Sequence, residues 1–293
     1  MNADYRRIVK NATFFQKMQK HSPFLPPCIA VMDTGIYPHR DLGRRILGFY
    51  DVLKKHPQPY DDNGHGTHIS GIIAGASPGR YRGIFPRATL FGIKTLADDG
   101  TGKIGDFIAG IDFLLHNHKA NKIRIINISL GGTYDGSDEQ KMLIDYVERA
   151  WDLGLLVVAA AGNNGPERGT VTVPGVSKKV ITVGTWDDNI PAVNPSTGKR
   201  FVHYSGRGPT SECIVKPDIL CPGANILSLN ASYAGYTVKS GTSMSTPMIS
   251  AVCGLVLSYH PDLTPKELKK AVKASCFPNS RRFDSQKFFS CFL

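Results

Sequence analysis

Cysteine is scarce in this chain, with six in 293 residues and no C-x-x-C pair. That excludes a disulfide-dense scaffold and a cysteine-built zinc module. Long apolar runs are missing too. The longest, around 153–161 and 248–257, are short or broken by glycine and serine, against the ~20 residues that span a bilayer. No internal repeat, low-complexity tract or long linker divides the chain, so solenoids, fibres and two separate domains are excluded. Acidic charge is the minority, 24 Asp plus Glu against 35 Lys plus Arg, for a formal net charge of +11. The basic excess is partly terminal: Arg6, Arg7, Lys10, Lys17 and Lys20 at one end, Lys266, Lys269, Lys270, Lys273, Arg281 and Arg282 at the other. No recognition helix, zinc finger or aromatic RNA-binding signature accompanies it. These charges read as solvated helix faces, so neither nucleic acid nor a membrane is expected as a partner. No feature specifies an oligomer.

What remains is an ordinary globular composition, 41% hydrophobic and 20% charged, long enough to bury a sizeable core. After a basic lead-in over residues 1–25, ending near Pro23, Pro26 and Pro27, apolar β-branched runs alternate with helix-period segments. Residues 28–33, 89–94, 124–130, 155–161 and 180–184 read as buried strands. Between them, 104–118 carries Ile104, Phe107, Ile108, Ile111, Leu114 and Leu115 at helical spacing, and 137–153 repeats the pattern less cleanly. The alternation predicts an α/β fold, three layers α/β/α, with a mostly parallel central sheet and helices on both faces. The main domain is expected over 26–276, with 277–293 as a tail of uncertain structure. Thr264, Pro265 and Glu267 read as cap, first position and first turn of a surface helix. The cysteines Cys28, Cys221 and Cys253 sit in apolar runs, and the N-terminus has no apolar signal core. Both favour a reducing, cytoplasmic setting.

In parallel sheets, ligand sites lie beyond the carboxyl ends of the strands. Three segments there carry chemistry: VMDTGI at 31–36, DNGHGTH at 62–68, and SGTSMSTP at 240–247. The last leads an apolar helix predicted over 248–259, with Pro247 in its first turn, so Ser243 would sit near the positive end of the helix dipole. A serine hydroxyl attacks poorly until a base takes its proton. Histidine is the usual base, and a buried carboxylate fixes its tautomer. Asp33, His65 and Ser243 supply these three groups. Taken singly, a strand-end Asp, a loop His and a helix-capping Ser are commonplace; the combination is not. His68, with Asp61 and Asp62 nearby, could be weighed as a metal ligand, but the Glu of a zinc-protease helix is lacking. Packing beneath His65 is the better reading.

Six segments in order, VMDTGI, NGHGTHISG at 63–71, NISLGG at 127–132, AAGNNG at 160–165, KPDILCPG at 216–223 and GTSMSTP at 241–247, resemble the subtilisin-like serine peptidases, or subtilases. The order Asp, His, Ser is that of subtilisin. The wording GIYPH at 35–39 and YDDNGH at 60–65 is similar to the bacterial intracellular alkaline subtilases. The resemblance implies Asp33 as orienter, His65 as general base, Ser243 as nucleophile and the Asn163 amide as oxyanion donor. It implies that Ser129, Leu130 and Gly131, with Ala160, Ala161 and Gly162, bind an extended substrate and its first side chain, a large apolar or aromatic one. It implies a serine endopeptidase acting on proteins or peptides, with no cofactor required for catalysis. An esterase or amidase using the same triad, or a silent binder keeping the groove, are the alternatives. Structural calcium is common in the family, and Asp41 matches one ligand position. The loop over 76–82, however, carries arginines where oxygen ligands would be expected, which argues against that site. The lead-in is too short for the family's pro-segment, and is expected as an arm lying across the substrate groove.

Overall fold

A computed structural model describes residues 2–19, 25–193, 198 and 200–293. Lys20 and Pro23 of the lead-in lie outside the described residues. The chain opens with helix α1 (Ala3–Met18), capped by the Asn2 side chain, which accepts from the Asp4 and Tyr5 N–H groups. Strands β1 (Cys28–Asp33) and β2 (Ile46–Asp51) follow, then helix α2 (His65–Ala74). A small hairpin, β3 (Ala76–Ser77) with β4 (Tyr81–Arg82), leads to β5 (Thr89–Lys94). Next come α3 (Ile104–Asn117), β6 (Ile123–Ile128), α4 (Asp138–Asp152) and β7 (Leu156–Ala160). After β8 (Ile181–Thr185) lie the pair β9 (Ala192–Val193) and β10 (Arg200–Phe201), then β11 (Ile219–Cys221). The hairpin β12 (Ile226–Leu229) with β13 (Tyr236–Lys239) runs into the long helix α5 (Thr242–Leu257). Helices α6 (Pro265–Ala274) and α7 (Ser285–Ser290) finish the fold.

Seven strands form one sheet in the order β11-β8-β7-β6-β1-β5-β2, every pairing parallel. Alternate side chains of a strand serve opposite faces. Thus Ile29 and Val31 of β1 join a core with α2 and α5, through Ile72, Met248 and Val252. Ala30 and Met32 join a second core with α3 and α4, through Ile111, Leu114, Leu143 and Val147. The three-layer α/β/α expectation holds, and each expected strand falls within two residues of its observed bounds.

Three elements differ from expectation. Helix α5 starts at Thr242 and not at 248, so Pro247 lies inside it. A proline there has no N–H for the carbonyl four residues back, which belongs to Ser243. The lead-in is a packed helix: Tyr5, Ile8, Ala12 and Phe15, at helical spacing, are fully buried. Phe15 stacks on Phe289 of α7 at 4.8 Å and meets Tyr259 edge-on at 5.7 Å. The tail is ordered by the same contact, with Phe283, Phe288 and Phe289 buried. Its residues 281–283 bracket Leu220 through two 2.8 Å backbone hydrogen bonds, which covers the free edge of β11.

At the amino ends of β8 and β11, a polar cluster closes the sheet. The buried Lys216 ammonium donates to the Val180 carbonyl (3.0 Å), Thr182 Oγ1 (2.8 Å) and Asp218 Oδ2 (2.8 Å). Lys269 of α6 donates to three successive carbonyls, those of Lys178 (2.9 Å), Lys179 (3.1 Å) and Val180 (2.8 Å). Burial pushes the Lys216 pKa down to about 8, against the opposing pull of Asp218.

Candidate active site

The carboxyl end of β1 delivers Asp33, fully buried. Its Oδ1 accepts the Thr34 N–H at 2.8 Å and the His65 Nδ1–H at 2.8 Å. With Nδ1 donating, the neutral imidazole keeps its Nε2 lone pair for the cleft. His65 is the first residue of α2, and close approach of that helix to β1 requires glycine next. A Cβ on Gly66 would stand 2.0 Å from the Gly35 carbonyl oxygen and 3.1 Å from Asp33 Cβ.

Asp61, given no role by the sequence reading, holds this turn together. Its Oδ1 accepts from Thr34 Oγ1 (2.8 Å), Asn63 N–H (3.1 Å) and Gly64 N–H (2.7 Å), while Oδ2 accepts from Thr67. Lys94, fully buried at the end of β5, ties the Thr34 carbonyl (2.6 Å) to Asp62 (2.6 Å) and the Leu96 carbonyl (2.9 Å). His68, buried on the same helix as His65, donates from Nε2 to the Ile226 carbonyl at 3.1 Å. Burial, with help from His65 and Lys239, pushes its pKa down to about 3, so it stays neutral.

Ser243 stands in the first turn of α5. In a first turn an N–H has no carbonyl four residues back within the helix, and among the described residues the Ser243 N–H makes no loop or cap backbone hydrogen bond. Thr242 donates from N–H (3.0 Å) and Oγ1 (3.1 Å) to Asn163 Oδ1. That double clamp fixes which end of the Asn163 amide is engaged, leaving its NH₂ to donate. Ser243, His65 and Asn163 line one open cleft. Among the described residues no hydrogen bond joins Ser243 to His65; such contacts often close only around substrate.

None of the predicted substrate-binding residues lines this cleft; they lie at the carboxyl ends of two neighbouring strands. Ser129, Leu130 and Gly131 follow β6, and Ala160, Ala161 and Gly162 close its neighbour β7. Ala161 uses both backbone groups, on Val183 and Thr172, and Gly162 gives its carbonyl to Gly206. This second segment is therefore tied into the fold, while among the described residues Ser129, Leu130 and Gly131 make no such loop backbone hydrogen bonds. Thr172, absent from the sequence reading, stands between them. Cβ atoms built on Gly131 and Gly162 would lie 2.2 Å and 2.3 Å from its side chain, and its buried hydroxyl has no partner. A β-branched residue in a valine-rich run, TVTVP at 170–174, gives no local signal of that position.

A family model described as the Subtilase family matches residues 27–287. This chain belongs to the subtilase family. It is 45% identical over 267 residues to "Serine protease AprX" of Bacillus subtilis (strain 168), covering 84% of this chain and 60% of that protein. It is 35% identical over 247 residues to "Thermostable alkaline protease" of Halalkalibacterium halodurans, covering 83% of this chain and again 60% of the relative. The chain thus spans about 60% of the length of these curated relatives. Among solved structures, "Sphericase" superposes with a TM-score of 0.74 at 27% identity, over 94% of this chain and 89% of that one.

Two expectations drawn from other subtilases meet a different arrangement here. Calcium at Asp41 would need converging oxygen ligands, but donors converge instead. The Asp41 carboxylate accepts from the Tyr236 hydroxyl and from Arg40 Nε, and the Arg45 guanidinium donates to the carbonyls of Asp41 and Pro86. These residues do not fit a cation, and among the described residues no group of three or more His, Cys, Asp or Glu side chains gathers elsewhere. The lead-in, expected as an arm across the groove, reaches the subtilase site from behind. Burying its apolar stripe against α7 turns its N-terminus toward the loop below Ser243. There Asn2 Nδ2 donates to Asp187 Oδ2 (2.8 Å) and the Ala224 carbonyl (2.9 Å). Asp187 Oδ1 accepts from the Gly223 and Ala224 N–H groups, and Gly223 in turn accepts from Gly241.

Proposed function

We propose that this subtilase is a serine endopeptidase that hydrolyses peptide bonds through an acyl-enzyme. The observation that supports it most is the 2.8 Å hydrogen bond from His65 Nδ1 to Asp33, beside a cleft shared with Ser243 and with Asn163, whose amide oxygen is held by Thr242 and whose NH₂ is left to donate. Ser243 Oγ attacks the scissile carbonyl carbon as His65 Nε2 takes its proton. Asp33 stabilises the imidazolium so formed. The carbonyl oxygen, now an oxyanion, accepts from Asn163 Nδ2 and from the Ser243 N–H. Collapse breaks the C–N bond, with His65 returning the proton to the departing amine, and water releases the acyl group by the same steps in reverse order. Nucleophile, base, orienter and donor are all side chains or backbone, so this chemistry uses no cofactor.

Substrates are proteins or peptides laid along Leu130 and Gly131 as an added strand. Thr172 narrows the first side-chain pocket, so the preference falls on residues smaller than the large aromatics the family resemblance implies. No described helix is long and apolar enough to cross a membrane. All six cysteines are free thiols, which supports a reducing, cytoplasmic setting. Labelling with a fluorophosphonate, read by intact mass, tests the reading. One adduct on the wild type, mapped to Ser243 and absent from Ser243→Ala and His65→Ala, is expected. Folded wild type without an adduct would overturn it. Asn163→Ala should still label but turn over about 10²–10³-fold more slowly, the size known for this donor in subtilisin.

A further inference from the structure

The cleft that holds Ser243 extends over residues of β9, β10 and β13, and none of residues 129–131 and 160–162 lines this extension. A substrate strand laid along 129–131 and attacked at Ser243 must continue into it. The extension therefore receives the residues after the scissile bond, on the side where His65 protonates the departing amine. Its lining draws on β9, β10 and β13. Arg200 of β10 and Lys239 of β13 both line it, and among the described residues no carboxylate does. Neither cation has an ion-pair partner among the described residues. The nearby Asp188 is engaged elsewhere, with Arg207 at 3.4 Å and His203 at 3.8 Å. Phe201, Met244 and Tyr204 line the same cleft. Tyr204 is 1% exposed, and its hydroxyl is buried without a partner. Unpaired donors above an apolar floor strengthen an incoming carboxylate bond relative to open water.

We propose that this leaving-group side of the cleft is a subsite for acidic residues, so that peptides carrying Asp or Glu within the first few positions after the cut are preferred. Arg200, exposed on its strand, attracts at longer range and is screened by salt. Lys239 is partly buried and close enough to His68 to act on it electrostatically, and it sets the closer position. The inference rests on the endopeptidase reading above, and its test separates the two.

Internally quenched peptides identical up to the cut, with Asp, Asn or Lys at each of the next three positions, would be compared by kcat/KM at low and high salt. The wild type should favour Asp over Lys by roughly fivefold to tenfold at the best position, and less at high salt. Arg200→Gln with Lys239→Gln should bring the ratio near one, and Arg200→Glu with Lys239→Glu should invert it. Lys266→Glu, on the far helix α6, controls for net charge and should leave the ratio unchanged. A flat wild-type profile, or a ratio that survives the double substitutions or moves equally with Lys266→Glu, overturns the proposal. Loss of fluorophosphonate labelling on folded wild type would instead overturn the peptidase reading, and this one with it.

Discussion

At the carboxyl end of β1, buried Asp33 accepts two hydrogen bonds on one carboxylate oxygen, while the other is buried with no partner. At the amino end of β11, buried Asp218 is saturated. Its Oδ2 accepts from Lys216 (2.8 Å) and the Thr182 N–H (2.9 Å), with Lys269 at 3.3 Å, and Lys273 stands 3.7 Å from Oδ1. Burial by itself would raise the Asp218 pKa; Lys216 and Lys269 outweigh it and hold the group below the usual carboxylate range. The two acids share a depth and differ in what their surroundings supply. A carboxylate surrounded by permanent cations is committed to one charge state and serves the fold. One whose only ionisable partner is a histidine keeps capacity in reserve for a charge that arrives during a reaction.

The sharpest way to break this comparison is Asp33→Asn. Because Asp33 supports few contacts, its amide should leave the melting temperature within a few degrees while kcat falls about 10⁴-fold, as tautomer control of the base is lost. A large drop in melting temperature would show that Asp33 is structural after all. Asp218→Asn should do the reverse. Leaving the buried Lys216 and the partly buried Lys269 without a counter-charge costs about 3–5 kcal/mol of stability, read from urea midpoints, while kcat per active site by titration stays at the wild-type value. Lost turnover without lost stability would contradict the division of roles.

His68 supplies a smaller effect with a defined direction. Its folded pKa of about 3 lies below the ordinary value near 6.5, so the unfolded chain takes up a proton first as pH falls. Stability should be unaffected by this group above about pH 6.5 and decline toward pH 3, by at most about 5 kcal/mol in all. Urea denaturation at pH 7, 5.5 and 4 would measure it, and His68→Gln should flatten the slope. An equally steep slope in the variant would assign the acid sensitivity to other groups.

The grouping of Asp33, His65 and Ser243 was legible because each lies in a short glycine-rich segment whose neighbours are dictated by close backbone approach, as at Gly66. Asn163 was legible for the same reason. The sheet was legible from continuous apolar runs. Elsewhere the local signal misleads. Lys269 sits on an amphipathic helix, where a lysine reads as a solvent-facing charge, and only the fold shows three carbonyls around it. Helix α1 carries Tyr5, Ile8, Ala12 and Phe15 at the spacing of a buried face, but Arg6, Arg7 and Lys10 interleave with them and dominate the reading. Pro247 suggested a helix start because proline is commonest in the first turn. Here burial of the helix on every side sustains it across the lost hydrogen bond. Arg200, Lys239 and Thr172 act through long-range placement on separate strands or loops, which no local pattern encodes.

The carbonyls of residues 178–180 form a cage that holds a cation, and its occupant is the end of a side chain. A free ion in such a cage obeys mass action: dilution empties it and a chelator strips it. The Lys269 ammonium has no dissociation constant in that sense, because its local concentration is set by a covalent tether. It can be removed only by taking its proton or by unfolding α6. This corner of the sheet is thereby sensitive to alkali and to mechanical fraying of one helix, and indifferent to the ionic composition of the surrounding solution.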